Sequence, residues 1–213
     1  MTSSATVPAP RMSQAERRDA SERQLIEATM AVVARHGVTA ATFEAIGQEA
    51  GYSRGLAAQK FGSKNGLIDA VIASLHRKRE EIIAADRVDA MPAMQAIGHF
   101  IERLLRELAH DNGGRAYFML LASAVADATA AREAFADSNE RVRAWLEGVI
   151  RRGQEAGEIR AAIDPATAAL MIGSLLLGLG MQWLVNPATD IDDVGRAAMA
   201  TIRRNFSTAE TDR

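Results

Sequence analysis

The sequence predicts an all-α protein with about nine helices. Apolar residues recur at the three- and four-residue spacing of amphipathic helices along most of the chain, and no alternation of apolar and polar residues indicates a strand. Only five of the 213 residues are proline, whereas alanine, leucine, glutamate and arginine, which favour helices, are frequent. With 48% apolar and 24% charged residues, the composition is ordinary for a globular protein of this size.

Four helices are predicted in the first part of the chain. Each is bounded by a residue that favours a helix terminus, since glycine is common after the last turn and serine or threonine before the first. The predicted helices span about residues 19–36, 43–50, 54–61 and 64–86, with Gly37 after the first and Thr42, Ser53 and Ser63 before the other three.

Five further helices are predicted in the remainder. Pro92 suits a first helical turn, and residues 111–114, with the sequence DNGG, predict a break before a shorter helix that starts at Arg115. Gly157 ends the next helix, and Pro165 begins an unusually apolar one. The five helices are predicted to begin at about residues 92, 115, 130, 165 and 191.

The apolar helix raises the question of a membrane. Residues 165–189 carry no charge, and the helix is close to the length of a membrane span. Gln182 within it, Asp164 at its start and the lack of a basic flank argue against insertion. A helix that is apolar on all sides also occurs between a protein core and a second subunit. We expect this second arrangement and no membrane contact.

The net charge of −2 conceals an uneven distribution. Residues 1–66 carry 8 Lys+Arg against 6 Asp+Glu, hence +2, and the rest carry 17 against 21, hence −4. Arg54, Lys60 and Lys64 lie in the stretch 50–64, which has no acidic residue. Such a patch attracts DNA phosphates even when the whole protein is acidic, although three basic residues also occur on ordinary solvated surfaces.

The sequence indicates no catalytic, metal or cofactor site. The absence of cysteine excludes disulfides, thiolate metal ligands and cysteine catalysis. The histidines at positions 36, 76, 99 and 110 form neither an i, i+4 metal pair nor a recognisable nucleophile system. Residues 1–10 lack the apolar core of a signal peptide. We therefore expect a cytoplasmic protein that is not an enzyme and has no cofactor.

Residues 42–64, TFEAIGQEAGYSRGLAAQKFGSK, are the most informative segment. Two short helical patterns are separated there by Gly51-Tyr52-Ser53, a tight turn that ends in the cap of the next helix. This is the spacing of a helix-turn-helix, which delivers the start of its second helix into the major groove of DNA. The segment therefore predicts a DNA-binding protein.

Residues 21–79 resemble the N-terminal domain of the TetR family of transcriptional repressors. The matching residues are Gly37-Val38, Thr42, Ile46, Gly51-Tyr52-Ser53-Arg54-Gly55, Phe61-Gly62-Ser63-Lys64 and Leu67, at ungapped spacing. The resemblance implies a homodimer that binds a pseudo-palindromic operator in double-stranded DNA and leaves it when a small molecule binds. We divide the chain into a flexible arm (1–18), a DNA-binding domain (19–79), a helical effector-binding and dimerisation domain (80–206) and a flexible tail (207–213).

The predicted recognition helix supplies the candidates for contact with DNA. Arg54 is placed to read guanine, with a phosphate contact or a plain surface position as the alternative, and Gln59 either reads adenine or is a solvated helix residue. Lys60 and Lys64 are expected to contact phosphates. Leu56 either contacts a thymine methyl group or packs inward. The family usually has an aromatic residue where this chain has Ala58 and histidine where it has Lys60, which puts operator affinity in doubt. The candidate DNA-binding residues are Thr42, Ser53, Arg54, Gly55, Leu56, Gln59, Lys60 and Lys64.

The resemblance also implies an effector cavity among the middle helices and a dimer interface on the last two. An apolar and aromatic lining would favour an apolar effector. For both sets of residues, packing in the core of one subunit is the alternative. The candidate cavity residues are Phe100, Leu104, Tyr117, Phe118, Leu121, Trp145, Val149, Met171 and Leu175, and the candidate interface residues are Ser174, Gly178, Met181, Ile191, Val194, Ala198 and Ile202.

Three hypotheses follow from the sequence. The first is a ligand-responsive dimeric repressor. The second is a helical interaction protein whose DNA-binding head is degenerate, which the departure at Ala58 sustains. The third is an enzyme, which the scattered histidines and carboxylates do not favour.

Overall fold

The structure, a computed structural model, describes residues 13–127 and 131–208 and confirms the all-α prediction. The described residues form nine α-helices and two short 3-10 helices, Val38–Ala40 and Val88–Ala90, with no strand beyond one isolated bridge. The helices are α1 (Gln14–His36), α2 (Phe43–Ala50), α3 (Arg54–Phe61), α4 (Lys64–Ala85), α5 (Ala93–His110), α6 (Asn112–Ala126), α7 (Ala131–Glu155), α8 (Pro165–Val185) and α9 (Ile191–Phe206).

The first helix begins earlier than predicted. Ser13 caps it by accepting a hydrogen bond from the amide of Glu16, whose carboxylate accepts one from the amide of Ser13. This capping box stabilises the first turn, so residues 14–18 are helical and do not belong to an arm. Residues 1–12 of the predicted arm lie outside the described residues.

The chain end also departs from the prediction at its first two positions. Ser207 forms an isolated bridge with Ile159, and the amide of Thr208 donates to the carbonyl of Glu158 at 3.0 Å. These bonds join the end of α9 to the connection between α7 and α8. The rest of the predicted tail, residues 209–213, lies outside the described part of the chain.

The predicted break at residues 111–114 is shorter than expected, because α6 starts at Asn112. Asp111 caps the helix by accepting from the amide of Gly113 at 2.9 Å. A Cβ on Gly114 would lie 2.4 Å from the carbonyl oxygen of Glu107 in α5. Glycine is therefore required here by the close approach of two consecutive helices and does not mark a loop.

Helices α1 to α4 form an N-terminal head around a small core. Leu25, Ile46, Ala57, Leu67 and Val71 are all fully buried in it. The C-terminal half of α4 continues beyond this head and packs against α6 and α7 of the larger helical body. One uninterrupted helix therefore belongs to both parts of the molecule.

The start of α6 is the second junction between head and body. A Cβ on Gly113 would lie 3.1 Å from Leu75 of α4 and 3.4 Å from the sulfur of Met30 in α1. The Lys78 ammonium lies 2.5 Å from the carboxylate of Asp111. The Asp111 carboxylate thus both caps α6 and pairs with α4, and these contacts lower its pKa although burial opposes them.

Helix α8 has one face inside the chain and one face outside. It meets the length and hydropathy of a membrane span, and 33% of its most apolar stretch is buried within the chain. A Cβ on Gly180 would lie 2.2 Å from the buried ring of Phe118, so this glycine lets α6 approach closely. The opposite face exposes large apolar side chains, namely Leu170, Met171, Leu175, Met181 and Val185.

Replacement of Gly180 tests this packing, and Gly148 of α7 provides a matched control. Gly180→Ala should lower the free energy of unfolding by about 1–3 kcal/mol because the new methyl group overlaps the Phe118 ring. Gly148→Ala meets no atom within 4 Å and should raise it by roughly 0.5–1 kcal/mol. Urea denaturation measures both changes. Equal stability of the two variants would contradict the packing described.

Candidate DNA-binding surface and ligand cavity

The helix-turn-helix forms as predicted, with both caps in place. The amide of Ala45 donates to the hydroxyl of Thr42, and that of Leu56 donates to the hydroxyl of Ser53, each at 3.2 Å. Gly51 adopts the left-handed conformation with φ 72°, which glycine accommodates without strain. The turn therefore presents the amino end of α3, with its positive helix dipole, at the surface.

Gly47 is a residue of this motif that sequence reasoning missed. A Cβ there would lie 2.8 Å from the carbonyl oxygen of Tyr52, and the amide of Tyr52 donates to the carbonyl of Gly47 at 2.8 Å. The hydroxyl of Tyr52 in turn donates to the side chain of Gln24 in α1. A glycine four positions before Gly51, inside a short helix, was the available signal of this close approach.

The start of α3 is exposed, as contact with DNA requires. Ser53, Arg54, Gly55 and Gln59 are exposed, whereas Leu56 is half-buried and its two predicted roles stay undecided. Among the described residues, no carboxylate pairs with the Arg54 guanidinium. The residues around it form one surface depression, which is lined by Ala41, Thr42, Phe43, Glu44, Arg54, Lys64 and Leu67.

Lys60 does not face this surface, so its predicted role as a phosphate contact is wrong for the structure described. Its ammonium donates to the carbonyl of Arg18 at 2.7 Å and lies 3.8 Å from the carboxylate of Glu22. Only 10% of the Lys60 side chain is exposed. The long side chain reaches across to α1, where its ammonium finds an acceptor and an opposite charge, and it fastens α3 to that helix.

Lys64 keeps its place at the predicted surface. It is exposed, and its ammonium donates to the carbonyls of Val38 at 2.9 Å and Thr39 at 3.4 Å. These bonds hold the positive charge beside Thr42 at the edge of the depression. The surface that the structure assembles therefore contains Thr42, Arg54 and Lys64, but not Lys60.

A cavity of about 240 Å³ lies in the body, enclosed by residues of α4 to α8. Four predicted residues line it: Phe100, Leu104, Tyr117 and Phe118. Sequence reasoning missed the rest of its wall, which consists of Arg79 and of residues on faces of α7 and α8 that the sequence did not assign to a cavity. The additional lining residues are Arg79, Ala136, Asn139, Glu140, Val142, Arg143, Leu146, Ala169, Leu170, Gly173, Ser174, Leu176 and Leu177.

Five predicted cavity residues lie elsewhere. Trp145 borders a neighbouring depression and donates its indole N–H to Asp89 at 2.9 Å. Val149 is fully buried in the core, and Leu121 is half-buried outside the cavity wall. Met171 is 60% exposed and Leu175 is 37% exposed, on the outer face of α8. Because α8 is apolar on all sides, its sequence gave no periodicity from which to tell its faces apart.

Polar groups at the cavity wall are mostly engaged with one another. The hydroxyl of Tyr117 donates to Asn139 at 3.2 Å. Arg143 donates to the carboxylates of Glu140 and, at 2.8 Å, Glu147. The hydrogen bond from Arg143 lowers the pKa of Glu140, and the bond to Glu140 raises the pKa of Arg143. Both side chains are therefore charged at neutral pH.

The predicted dimer interface is only partly exposed. Ile191 and Ile202 are 7% and 6% exposed and lie in the core of the subunit, so their assignment to the interface is wrong. The inner face of α9 packs against α5, as Gly195 shows, since its Cβ would lie 2.6 Å from Leu105. Val194 and Ala198 are half-buried beside that face, whereas Ser174, Gly178 and Met181 are exposed on α8.

Comparison with known families agrees with this architecture. Residues 25–71 match the family described as bacterial regulatory proteins of the tetR family, and residues 93–207 match the BetI-type transcriptional repressor C-terminal domain. The chain belongs to the TetR family. This confirms the predicted resemblance and the prediction of a transcriptional regulator of the repressor type, and it excludes the enzyme hypothesis, since the family and the curated relatives are regulators.

Curated relatives share mainly the head. The regulator BetI of Stenotrophomonas maltophilia is 39% identical over 67 residues, which are 32% of this chain and 34% of that protein. The match thus spans about a third of the BetI length. The regulator TtgR of Pseudomonas putida is 27% identical in an alignment of 175 positions that covers 77% of this chain and 80% of TtgR.

Solved TetR structures share the fold. A regulator from Saccharomonospora viridis in complex with choline superposes with a TM-score of 0.75 at 20% identity, covering 89% of this chain and 98% of that one. SmeT, the repressor of a Stenotrophomonas maltophilia multidrug efflux pump, gives a TM-score of 0.71 at 22% identity, covering 91% and 94%. At these identities the likeness establishes the fold of this TetR protein and not its ligand.

His76 of α4, near the cavity, gives a pH-dependent test of the core. Burial, assisted by the charges of Arg79 and Arg141 and opposed by Glu80, lowers the pKa of His76 from 6.5 to about 4. Its ring lies edge-on to Tyr117 and Phe135, and its buried Nε2 has no hydrogen-bond partner among the described residues. The neutral ring is thus the form that the fold accommodates.

Because the pKa of His76 is depressed in the folded state, the unfolded chain binds more protons between pH 6.5 and about 4. The free energy of unfolding should therefore fall as the pH decreases through this range. Its slope against pH should correspond to the uptake of less than one proton on unfolding. His76→Phe should flatten the dependence, whereas His36→Phe, at an exposed position, should not change it. Denaturation midpoints measured across this pH range test the assignment. Equal slopes for the wild type and His76→Phe would refute it.

Proposed function

We propose that this TetR protein is a homodimeric repressor that binds a pseudo-palindromic operator in double-stranded DNA and leaves it when a small, largely apolar ligand enters the body. The observation that carries the proposal is the exposed Arg54, which has no carboxylate partner in the described residues and stands at the capped start of α3 beside Thr42 and Lys64. An arginine held in this way can place its fork against a guanine edge.

The remaining surface residues have distinct proposed roles. Lys64 and the hydroxyl of Thr42 contact phosphates and fix the register of the head on the duplex. Ser53 and Gly55 let the backbone at the start of α3 approach the DNA closely. Gln59 is exposed on the same helix and reads a neighbouring base. Glu44 lies in the same depression and repels phosphates that approach it, so fewer positions of the head on the duplex are favourable.

We infer that the outer face of α8 joins two subunits. Five large apolar side chains on one helix are exposed, whereas the described residues elsewhere contribute only Val125 to this class. Gly178 and Ser174 are small and lie on the same exposed face, which favours close packing of paired helices. A face of this composition is typical of subunit interfaces. This pairing also removes the reason to place α8 in a membrane.

Ligand control would act through α4. This helix contributes Leu67 and Val71 to the core of the head and Arg79 to the cavity wall. Its ion pair between Lys78 and Asp111 joins α4 to the start of α6 at the junction of head and body. A ligand that favours a different angle between head and body would change the separation of the two heads and release the operator. A cytoplasmic location accords with this role.

Substitutions at the DNA-binding surface test the proposal and separate it from a degenerate head. Arg54→Ala should cost about 1–3 kcal/mol of operator binding and abolish discrimination against unrelated DNA. Lys64→Ala should weaken binding to all sequences alike and reduce the salt slope by about 1. Lys60→Met is the control, since its ammonium faces α1; folded protein should keep the wild-type salt slope. Gel shifts at several salt concentrations measure these effects. Failure of the wild type to bind any DNA upstream of its own gene at low salt would favour the degenerate head.

The oligomeric state tests the α8 interface. The wild type should sediment as a dimer of the 22.9 kDa chain at micromolar concentration. The double variant Met171→Glu/Leu175→Glu should sediment as a monomer, because burial of two unpaired carboxylates costs several kcal/mol. Val125→Glu, at a 59% exposed apolar position on α6, should remain dimeric. A monomeric wild type, or a dimeric double variant, would contradict the interface.

A further inference from the structure

The charged side chains on the cavity wall are paired with carboxylates or guanidinium groups, with one exception. Arg143 pairs with Glu140 and Glu147, and Arg151 pairs with the second oxygen of Glu147. These two arginines and two glutamates form a network with no net charge. The cavity wall then contains one further ionised group, the guanidinium of Arg79.

Arg79 stands at the junction of three depressions. It lines the cavity, the neighbouring depression bordered by Trp145, and a smaller one between α4 and α5. It is half-buried, and its guanidinium lies over the ring of Tyr117 at 4.6 Å from the centroid. In the part of the chain that the structure describes, Arg79 has no hydrogen bond and no carboxylate within 4.0 Å.

The carboxylates near Arg79 include those of Glu80 of α4, Asp86 just after α4 and Glu107 of α5, and all three are engaged with other groups. Glu107 pairs with Arg103 at 3.0 Å. Asp86 pairs with His99 at 2.8 Å and with Arg103 at 3.6 Å. Glu80 faces Arg141 at 3.5 Å. A half-buried arginine held by an aromatic ring alone leaves its donors unused, and unpaired charge at partial burial is costly.

We propose that the cavity binds a small organic anion, with its apolar body between α5, α6 and α8 and its carboxylate on the guanidinium of Arg79. The inference rests on the proposed ligand-binding function and specifies its chemistry. The body of the ligand meets Phe100, Leu104, Phe118 and Leu176, whereas its head meets the guanidinium of Arg79, which no described carboxylate pairs with. A carboxylate can accept two parallel hydrogen bonds from a guanidinium.

The same charge argues against a cationic ligand. A quaternary ammonium group is held in proteins by aromatic faces, but here Arg79 occupies the face of Tyr117. A cation in the cavity would lie close to the guanidinium of Arg79, which no described carboxylate pairs with. The choline found in the regulator from Saccharomonospora viridis is therefore a poor guide to this cavity. At about 240 Å³, the cavity is also below the roughly 300–1,000 Å³ typical of drug-sized ligands, so the anion is small.

The position of Arg79 on α4 gives the anionic head a direct mechanical role. Arg79 follows Lys78, the residue that pairs with Asp111 at the junction of head and body. A carboxylate bound to Arg79 acts directly on α4, the helix that continues into the DNA-binding head. The apolar part of the ligand contacts only helices of the C-terminal domain. The charged head of the ligand, more than its apolar part, should therefore release the operator.

Matched pairs of probes that differ only in charge test the proposal. Calorimetry would compare hydrocinnamate with hydrocinnamamide, and hexanoate and octanoate with their amides, with phenethyltrimethylammonium as the cation. Each would be titrated into the full-length wild type, Arg79→Gln and Arg77→Gln. Arg77 is exposed on the same helix and does not line the cavity, so it controls for loss of one positive charge.

The wild type and Arg77→Gln should bind at least one carboxylate about tenfold more tightly than its amide, as one added charge-assisted contact predicts. Arg79→Gln should bind that carboxylate and its amide with similar affinity, while its affinity for the amide stays at the wild-type value. Equal binding of acid and amide by the wild type, tighter binding of the cation, or no binding of any carboxylate would each overturn the proposal.

Gel shifts with the same proteins separate this inference from the proposed function. Arg79→Gln should retain operator binding in the absence of ligand, since Arg79 is remote from the DNA-binding surface. Carboxylate binding without any operator binding would support the anionic ligand and contradict the proposed repressor function. If hydrocinnamamide released the operator as well as hydrocinnamate does, the repressor function would be supported and the anionic ligand contradicted.

Discussion

The constraint on which the molecule depends is that α4 belongs to two cores at once. Leu67 and Val71 are buried with the helices of the head, and Arg79 two turns later forms part of the cavity wall. Between them, Leu75 meets the start of α6 at Gly113. A continuous helix does not bend easily without a proline, a glycine or a bulge, and residues 67–85 contain neither glycine nor proline. Displacement at one end must therefore move the other.

Charge in the head is divided between holding the helices together and facing outward. Arg35 of α1 pairs with Glu49 of α2 at 2.6 Å. The ammonium of Lys60 in α3 donates a hydrogen bond to the carbonyl of Arg18 in α1. These contacts fix the position of α3 against its neighbours. The proposed contact residues Arg54 and Lys64 can then act from a rigid platform, which reduces the conformational entropy lost on binding. The usual aromatic contact at Ala58 is absent, so the proposed affinity depends more heavily on this rigidity.

Local signals allowed the head to be predicted from the sequence, whereas the cavity required the tertiary structure. Thr42, Gly51 and Ser53 each act on residues close to them in sequence, so their roles can be predicted from the local sequence alone. The direction of the Lys60 side chain depends on Arg18 of α1, 42 residues earlier in the sequence, and the faces of α8 depend on which helices surround it. Ile191 and Ile202 have the spacing of an amphipathic face, but spacing does not say whether the apolar face meets the subunit's own α5 or a second subunit. The spacing of Ser13 and Glu16 is a local capping-box signal, so the true start of α1 is also predictable from sequence.

Helix α8 contributes both to the proposed ligand cavity and to the proposed dimer interface. Leu170 and Ser174 line the cavity and are also exposed on the outer face, next to Met171 and Leu175. In a symmetric dimer such residues would touch the ligand on one side and lie near the partner on the other. A ligand that fills the cavity would then act on two boundaries of the body, the α4 side towards the DNA-binding head and the α8 side towards the second subunit. The distance between the two heads depends on both boundaries. A small displacement of α4 and a small displacement of α8 would therefore both change that distance. This accounts for how a cavity of this size could control a DNA-binding surface that it does not touch.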